Sequence, residues 1–333
     1  MAEKDMYHQL AEVIGAGNSR LIPAIMKEMA DEKEMKLVLA ASPPATVEEL
    51  AEKTEIPKDE VQKLLDGLFT KGLIYKSKKP EGTKYYRVRH LIQFHDATIL
   101  TPGLSKDVLD MWKEFDHEEW PMFLDQYEEL LPKPGSRVIP VNVSVESESK
   151  ILAFEDVRSI VEEANRLAVV NCTCRLVDGK CGKPVEVCIQ INKAADYTLE
   201  RGTGRELSKQ EAIDMLKMCE EEGLVHITDN RRSIGNLICN CCEDCCINWP
   251  GSRKASKKFV APSRFVASVD EDLCTSCEVC LDRCYFDAIT MTGAGGTAQI
   301  DEENCMGCGL CIVTCDSDAM SLKETRSESF VEE

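Results

Sequence analysis

The chain has 333 residues, 43% hydrophobic and 6% aromatic, and a formal net charge of −19. That length suits two or three domains of roughly 100–200 residues each, and the scarcity of aromatics points to small aliphatic cores. So acidic a chain is repelled on average by nucleic acid and acidic membranes unless a local basic patch overrides the mean, and it suits docking on a basic partner.

The start, MAEKDMYHQL, is charged and lacks the apolar run of a signal peptide. No apolar run has the ~18 residues of a membrane span, so no transmembrane segment and a cytoplasmic location are expected. Residues 1–30 carry an apolar stripe through Leu10, Val13, Ile14, Leu21 and Ile25 and read as helical. EMKLVLAA forms a further helix ended by Ser42-Pro43-Pro44. Thr46 caps the next, with Glu49 three residues on as its capping-box partner. Pro57 sits where a helix's first turn accepts proline, and that helix runs to about Lys71. Two short strands, GLIYK and KYYRV, follow around Lys78–Gly82. Three helices and a hairpin in this order, with the LxxGLFxKGLI segment, resemble a winged helix-turn-helix domain, and residues 1–95 are assigned to it with its leading helices.

Its presumed recognition helix pairs Lys58, Lys63 and Lys71 against Asp59, Glu60 and Asp66 and has no Arg to read guanine. The wing is basic, with Lys76, Lys78, Lys79, Lys84, Arg87 and Arg89 against Glu81, a cluster suited to phosphate or to a protein surface. Residues 96–165 read as a helical connector, with helices near 104–130 and 154–167 and a proline-containing loop over 132–147.

All 18 cysteines fall between Cys172 and Cys315. With no export signal, metal ligation is expected rather than disulfides. Residues 166–250 form a cysteine-rich middle domain, read as helical and irregular. It holds Cys172, Cys174, Cys181 and Cys188, then Cys239, Cys241, Cys242, Cys245 and Cys246. Cys239, Cys242 and Cys245 share the x2 spacing of an iron–sulfur triple. Adjacent side chains diverge, so Cys241 and Cys246 face a different ligand set. One further [4Fe-4S] cluster is the first expectation, two the second, and a four-thiolate zinc site the third. Ser208 and Glu211 form a capping box on a helix stopped by Gly223. Cys219 on that helix shares its apolar spacing with Ala212, Met215 and Leu216 and reads as a core thiol. His226 reads as a surface or core residue, and Gly202-x-Gly204 as a turn lacking the third glycine of a dinucleotide site.

A basic linker over 251–264 leads to residues 265–325 and an acidic tail, 326–333, expected to be disordered. Two runs carry the strongest signal: Cys274, Cys277, Cys280, Cys284 and Cys305, Cys308, Cys311, Cys315, each spaced x2, x2, x3. This is the bacterial two-cluster spacing, in which the fourth cysteine of each run ligates the other cluster. One [4Fe-4S] cluster is therefore assigned to Cys274, Cys277, Cys280 and Cys315, the other to Cys305, Cys308, Cys311 and Cys284. AITMTGAGGTAQID reads as two strands around a glycine-rich turn, and Val269-Asp-Glu-Asp-Leu and Ile300-Asp-Glu-Glu-Asn precede the two runs as an internal repeat. The segment resembles a ferredoxin dicluster domain, except that Tyr285 and Asp316 stand where proline usually follows the fourth cysteine. NCTCR at 171–175, GR-x-LS-x-x-EA at 204–212, EEGLVH at 221–226 and ICNCCEDCC at 238–246 resemble a larger family of ferredoxin-like proteins from anaerobes. That resemblance implies electron transfer in anaerobic metabolism.

The fold class expected is multidomain α+β: winged helix, cysteine-rich middle domain, ferredoxin-like end. The first functional expectation is an electron-transfer protein or subunit serving a partner oxidoreductase complex, itself non-catalytic, since no catalytic constellation stands out. The alternatives are a redox-sensing transcription regulator whose wing grips DNA, and an enzyme with an open iron position at a middle site.

Overall fold

The computed structural model of the chain describes residues 5–130, 133–142, 153–249 and 259–331. These form two compact units, one built from residues 1–123, 176–178 and 200–203, the other from the remainder. Among the described residues, no helix is long and apolar enough to cross a membrane.

The first unit opens with α1 (Met6–Val13), capped by Asp5, and α2 (Leu21–Met29). Next come α3 (Glu32–Ala40), α4 (Val47–Thr54) and α5 (Lys58–Thr70). Capping boxes at Asp31/Glu34 and Thr46/Glu49 satisfy the orphan N–H groups that open α3 and α4. Helix α5 buries Val61, Leu65, Leu68 and Phe69 on one face. Gly72 then turns the chain at φ +78°, where a Cβ would meet that of Ala97 at 2.7 Å. The wing is β1 (Ile74–Lys79) paired antiparallel with β2 (Gly82–Arg87), Ile74 opposite Arg87. Helices α6 (Leu91–Ile99) and α7 (Lys106–Glu114) pack around Trp112, and a π turn over Phe115–Glu119 leads into α8 (Trp120–Leu130). Lys76 and Lys78 of the wing both reach Glu200, at 3.0 and 2.8 Å, within this unit.

The second unit centres on a seven-stranded sheet in the order β6-β4-β5-β8-β7-β3-β9. Its strands are β3 (Ser136–Ile139), β4 (Leu167–Asn171), β5 (Glu186–Ile191), β6 (Gly204–Leu207), β7 (Val225–Asp229), β8 (Leu237–Cys241) and β9 (Val260–Ala261). All its pairings are antiparallel except β3 with β9. Helices α9 (Val157–Glu163) and α12 (Lys209–Glu221) close a core of Val157, Ile160, Val169, Ile189, Leu216 and Ile238. Two shorter helices, α10 (Thr173–Asp178) and α11 (Lys193–Arg201), begin in the β4–β5 and β5–β6 connections.

The middle domain is therefore a mixed sheet rather than the helical and irregular segment its sequence suggests. Its strands run only four to six residues, too short for a period-two pattern to stand out. The expected loop over 132–147 likewise contains β3, between β7 and β9, with Arg137 buried at its second position. Residues 131–132 and 143–152 of that region lie outside the described ones.

The ferredoxin part pairs β10 (Phe265–Val269) with β13 (Met320–Glu324), and β11 (Ile289–Met291) with β12 (Ala298–Ile300) as the expected hairpin. Short helices α13 (Val279–Arg283) and α14 (Leu310–Val313) follow the two cysteine loops. Most of the basic linker lies outside the described residues, but its end is folded. Val260 and Ala261 join the sheet, and Arg264 makes a buried ion pair with Glu155 at 2.9 Å. The tail expected to be disordered is packed as far as Val331, which is buried and accepts a hydrogen bond from Arg232 Nε at 3.0 Å. Phe330 beneath the Arg326 guanidinium adds an anchor that composition alone hides.

Candidate metal centre

Backbone geometry repeats between the two ferredoxin loops. Ser276 and Gly307 occupy the same step of each run and are left-handed, at φ +58° and +64°. The pairs Glu278 and Gly309, at +62° and +78°, and Asp287 and Asp318, at +51° and +54°, repeat in the same way. These turns curl each loop around the space its cysteines face. At Gly307 a Cβ would lie 2.1 Å from the Phe265 carbonyl oxygen, and only glycine fits.

Cys274, Cys277, Cys280 and Cys315 line one pocket together with Met291 and Met320. The second run's last cysteine thus joins the first three of the other run. Cys308 and Cys311 lie within electrostatic range of each other and of both Cys305 and Cys284. Burial pushes the Cys308 thiol up to about 12, and Cys311 well above its ordinary range. Buried thiols of this kind ionise only against compensating charge, which a metal supplies. Ala267 N–H donates to Cys305 Sγ at 3.4 Å. The fit to two clusters is good on donor chemistry, burial and a cradle that excludes a side chain.

At the first unusual position, Tyr285 is buried and its hydroxyl donates to the Gly223 carbonyl. Beside it Arg283 Nη2 donates to the Glu220 carbonyl at 2.7 Å, so both side chains cap the C-terminal end of α12. Phe286 packs edge-on against Trp249 at 5.4 Å, and Trp249 Nε1 donates to the Cys242 carbonyl at 2.9 Å. Tyr285 also lies within electrostatic range of Cys242 and Cys308. The residues replacing and following the missing proline thus join the ferredoxin part to the middle cysteines.

The middle cysteines separate into two sets. Within interaction range of one another lie Cys172 and Cys174, Cys174 and Cys246, Cys246 and Cys241, Cys241 and Cys239, Cys239 and Cys188, and Cys188 and Cys172. Six thiols thus close a ring. Cys174 and Cys188 hold Cys172 far below the usual thiol range, and the same proximity, with burial, pushes both of them up. The sheet explains the membership. Cys239 and Cys241 are two apart on β8 and so share one face, while Cys188 lies on β5, the neighbouring strand. The other set is Cys181, Cys242 and Cys245, whose sulfurs all lie within 4.8 Å of one another. Adjacent cysteines do diverge, as expected, but the triple is regrouped. Cys239 joins Cys241 and Cys246, and Cys181 takes its place beside Cys242 and Cys245.

Cys219 is fully buried, and burial raises its thiol to about 12, as suits a core residue. His226 is buried too, with Nδ1 2.5 Å from Asn240 Oδ1 and Nε2 3.3 Å from Glu220. Asn240 stands between Cys239 and Cys241 and donates to the Val187 carbonyl at 2.6 Å. Sequence reasoning missed Arg175, the last residue of NCTCR. It is buried, donates through Nη2 to the Asn240 carbonyl at 3.0 Å, and lies against Cys242. Its position directly after the cysteine pair was the available signal.

Residues 31–91 match the family model of the sugar-specific transcriptional regulator TrmB, and residues 273–319 match that of the 4Fe-4S dicluster domain. No curated protein and no solved structure matches the chain. The molecule is an iron–sulfur protein with a TrmB winged-helix-type domain near its N-terminus and a 4Fe-4S dicluster domain near its C-terminus.

Proposed function

We propose that the chain is an electron-transfer protein, or the electron-transfer subunit of an oxidoreductase, holding at least one further metal–sulfur group in its middle region. The observation that carries this reading is the convergence of nine thiols in the same compact unit as the dicluster fold. Cys274, Cys277, Cys280 and Cys315 would hold one [4Fe-4S] cluster, and Cys305, Cys308, Cys311 and Cys284 the other. Four of the six ring thiols suffice for a third. Such clusters, when bound, take up and release single electrons at potentials set by burial, charge and hydrogen bonds to sulfur.

The chain's own residues differ between the two ferredoxin sets. Cys277 is exposed, as are Leu273 and Val279 beside it, so the first set is the one a partner can approach. Cys305 and Cys311 are buried, and the buried Tyr285 lies within electrostatic range of both Cys308 and Cys242. The test is iron, sulfide and zinc content of anaerobically purified protein, with EPR of the reduced state. About eight irons match two clusters, and about twelve or more require the middle thiols. Eight irons with no other metal would end the reading for the middle region.

A second reading, a redox-responsive DNA-binding regulator, is favoured by the TrmB match over 31–91. The basic side chains weigh against it. Lys76 and Lys78 meet Glu200, Lys58 meets Glu48 at 2.5 Å, and Lys71 meets Glu34 at 2.7 Å. Salt-dependent duplex binding that differs between cluster-loaded and cluster-free protein would support it; no binding at low salt would sink it.

A further inference from the structure

The set Cys181, Cys242 and Cys245 differs in spacing from every other group of thiols. Thiolates sharing one tetrahedral ion at about 2.3 Å stand about 3.8 Å apart, whereas cubane ligands bind separate irons and stand wider. Among the described residues this trio alone brings three ligand atoms within 4.8 Å of one another. Backbone N–H groups of Lys180, Cys181 and Cys245 lie close to the sulfurs of Cys242 and Cys245.

Arg175 supplies the charge. It is 2% exposed, lies against Cys242 of the trio and within electrostatic range of Cys172 and Cys188 of the ring, and its buried Nε and Nη1 have no hydrogen-bond partner. A buried cation is costly unless anionic groups face it. Three thiolates around a divalent ion leave one net negative charge, which the guanidinium lying against Cys242 helps to offset. Four would leave two.

We propose that Cys181, Cys242 and Cys245 bind a single zinc ion, separate from the six-thiol ring, with the fourth coordination position left to water or an anionic ligand beside Arg175. This rests on the reading that the middle cysteines hold metal, and it divides them into a ring that takes iron and a trio that takes zinc. An open fourth position is the mark of a zinc that handles a ligand rather than one that only braces a fold.

The test is zinc, iron and sulfide analysis of the full chain, purified anaerobically, for the wild type, Cys181→Ser and Cys174→Ser. The expected result is about one zinc in the wild type, lost in Cys181→Ser while iron, sulfide and the reduced EPR spectrum stay unchanged. Cys174→Ser is expected to do the reverse, losing ring iron and keeping zinc. Co²⁺ exchanged into the zinc site of the folded wild type should give sulfur-to-cobalt charge-transfer absorption and tetrahedral visible bands. That readout needs no variant to fold. Loss of about four irons in Cys181→Ser, or absence of both zinc and the cobalt bands from the wild type, would overturn the proposal. Zinc retained in Cys174→Ser with no iron lost would remove the ring from the electron-transfer reading and leave the trio standing.

Discussion

Each ferredoxin loop supplies three sulfurs of its set from one short run, shaped by left-handed residues at matching steps. In the middle region neighbours part company. Cys241 goes to the ring and Cys242 to the trio, Cys246 to the ring and Cys245 to the trio. The loop sites are defined by local backbone, and the sheet-borne sites by strand order and by which face of β8 a residue occupies. A loop site can therefore be read as a motif and fails locally when its turns are altered. A sheet-borne site depends on distant packing.

The largest expected effect is at the loop sites themselves. Cys311→Ser should cost about four irons, since a [4Fe-4S] cluster needs its full thiolate set. Thermal stability should fall with it, because metal-binding energy is folding energy. Iron analysis and calorimetry measure both. Ring iron lost alongside it would show that the two regions are not independent.

Next comes the junction. Glu155 precedes the sheet's α9 and Arg264 precedes the ferredoxin's β10, and the pair is 1% exposed on each side. Glu155→Ala leaves a buried guanidinium short of a partner and should cost about 3–5 kcal/mol in denaturant unfolding. Glu324, 2.7 Å from Arg264 Nη1, softens that loss. A cost below about 1 kcal/mol would mean the pair does not hold the junction.

The two loops can then be set against each other. Gly307→Ala forces a Cβ against the Phe265 carbonyl oxygen in a left-handed turn and should destabilise by about 1–3 kcal/mol. The matching Ser276→Ala changes a position that already carries a Cβ and should stay within about 1 kcal/mol. Equal effects would mean that the Phe265 carbonyl does not restrict position 307 to glycine.

A last test, read as a slope with pH, lies in the first unit and serves as a control for both sites. Burial opposes a charged His95, but Asp116 at 3.3 Å and Asp96 at 2.8 Å outweigh it and raise its pKa to about 10. A raised folded pKa stabilises the fold below the ordinary value of 6.5, and that contribution is lost as pH rises through about 10. Stability measured between those values should decline with pH in the wild type and flatten in His95→Gln, with metal content unchanged.

Much of the first unit was legible because its helices carry their own punctuation. Thr46 with Glu49, Pro57, and the hairpin after Gly72 stand where the chain text puts them. The ferredoxin part was legible for the same reason, since its ligands follow one another at fixed spacing. The middle sheet was not. LAVVN, EVCIQI and LICNC are short, and the cysteines in them read as motif before they read as strand. Arg175 was passed over because one arginine after a cysteine pair means little until its burial is known.

The sequence by itself determined the dicluster domain, the winged-helix order and the division of adjacent cysteines between different partners. These follow from local spacing, capping and the divergence of neighbouring side chains. Tertiary structure alone decided which middle cysteines meet, because β5 beside β8 brings Cys188 to Cys239, and the chain after β8 carries Cys242 and Cys245 to Cys181. It also decided that Tyr285, in the place of a proline, lies within electrostatic range of both Cys308 and Cys242, since the packing of the ferredoxin part on the end of α12 brings those residues together.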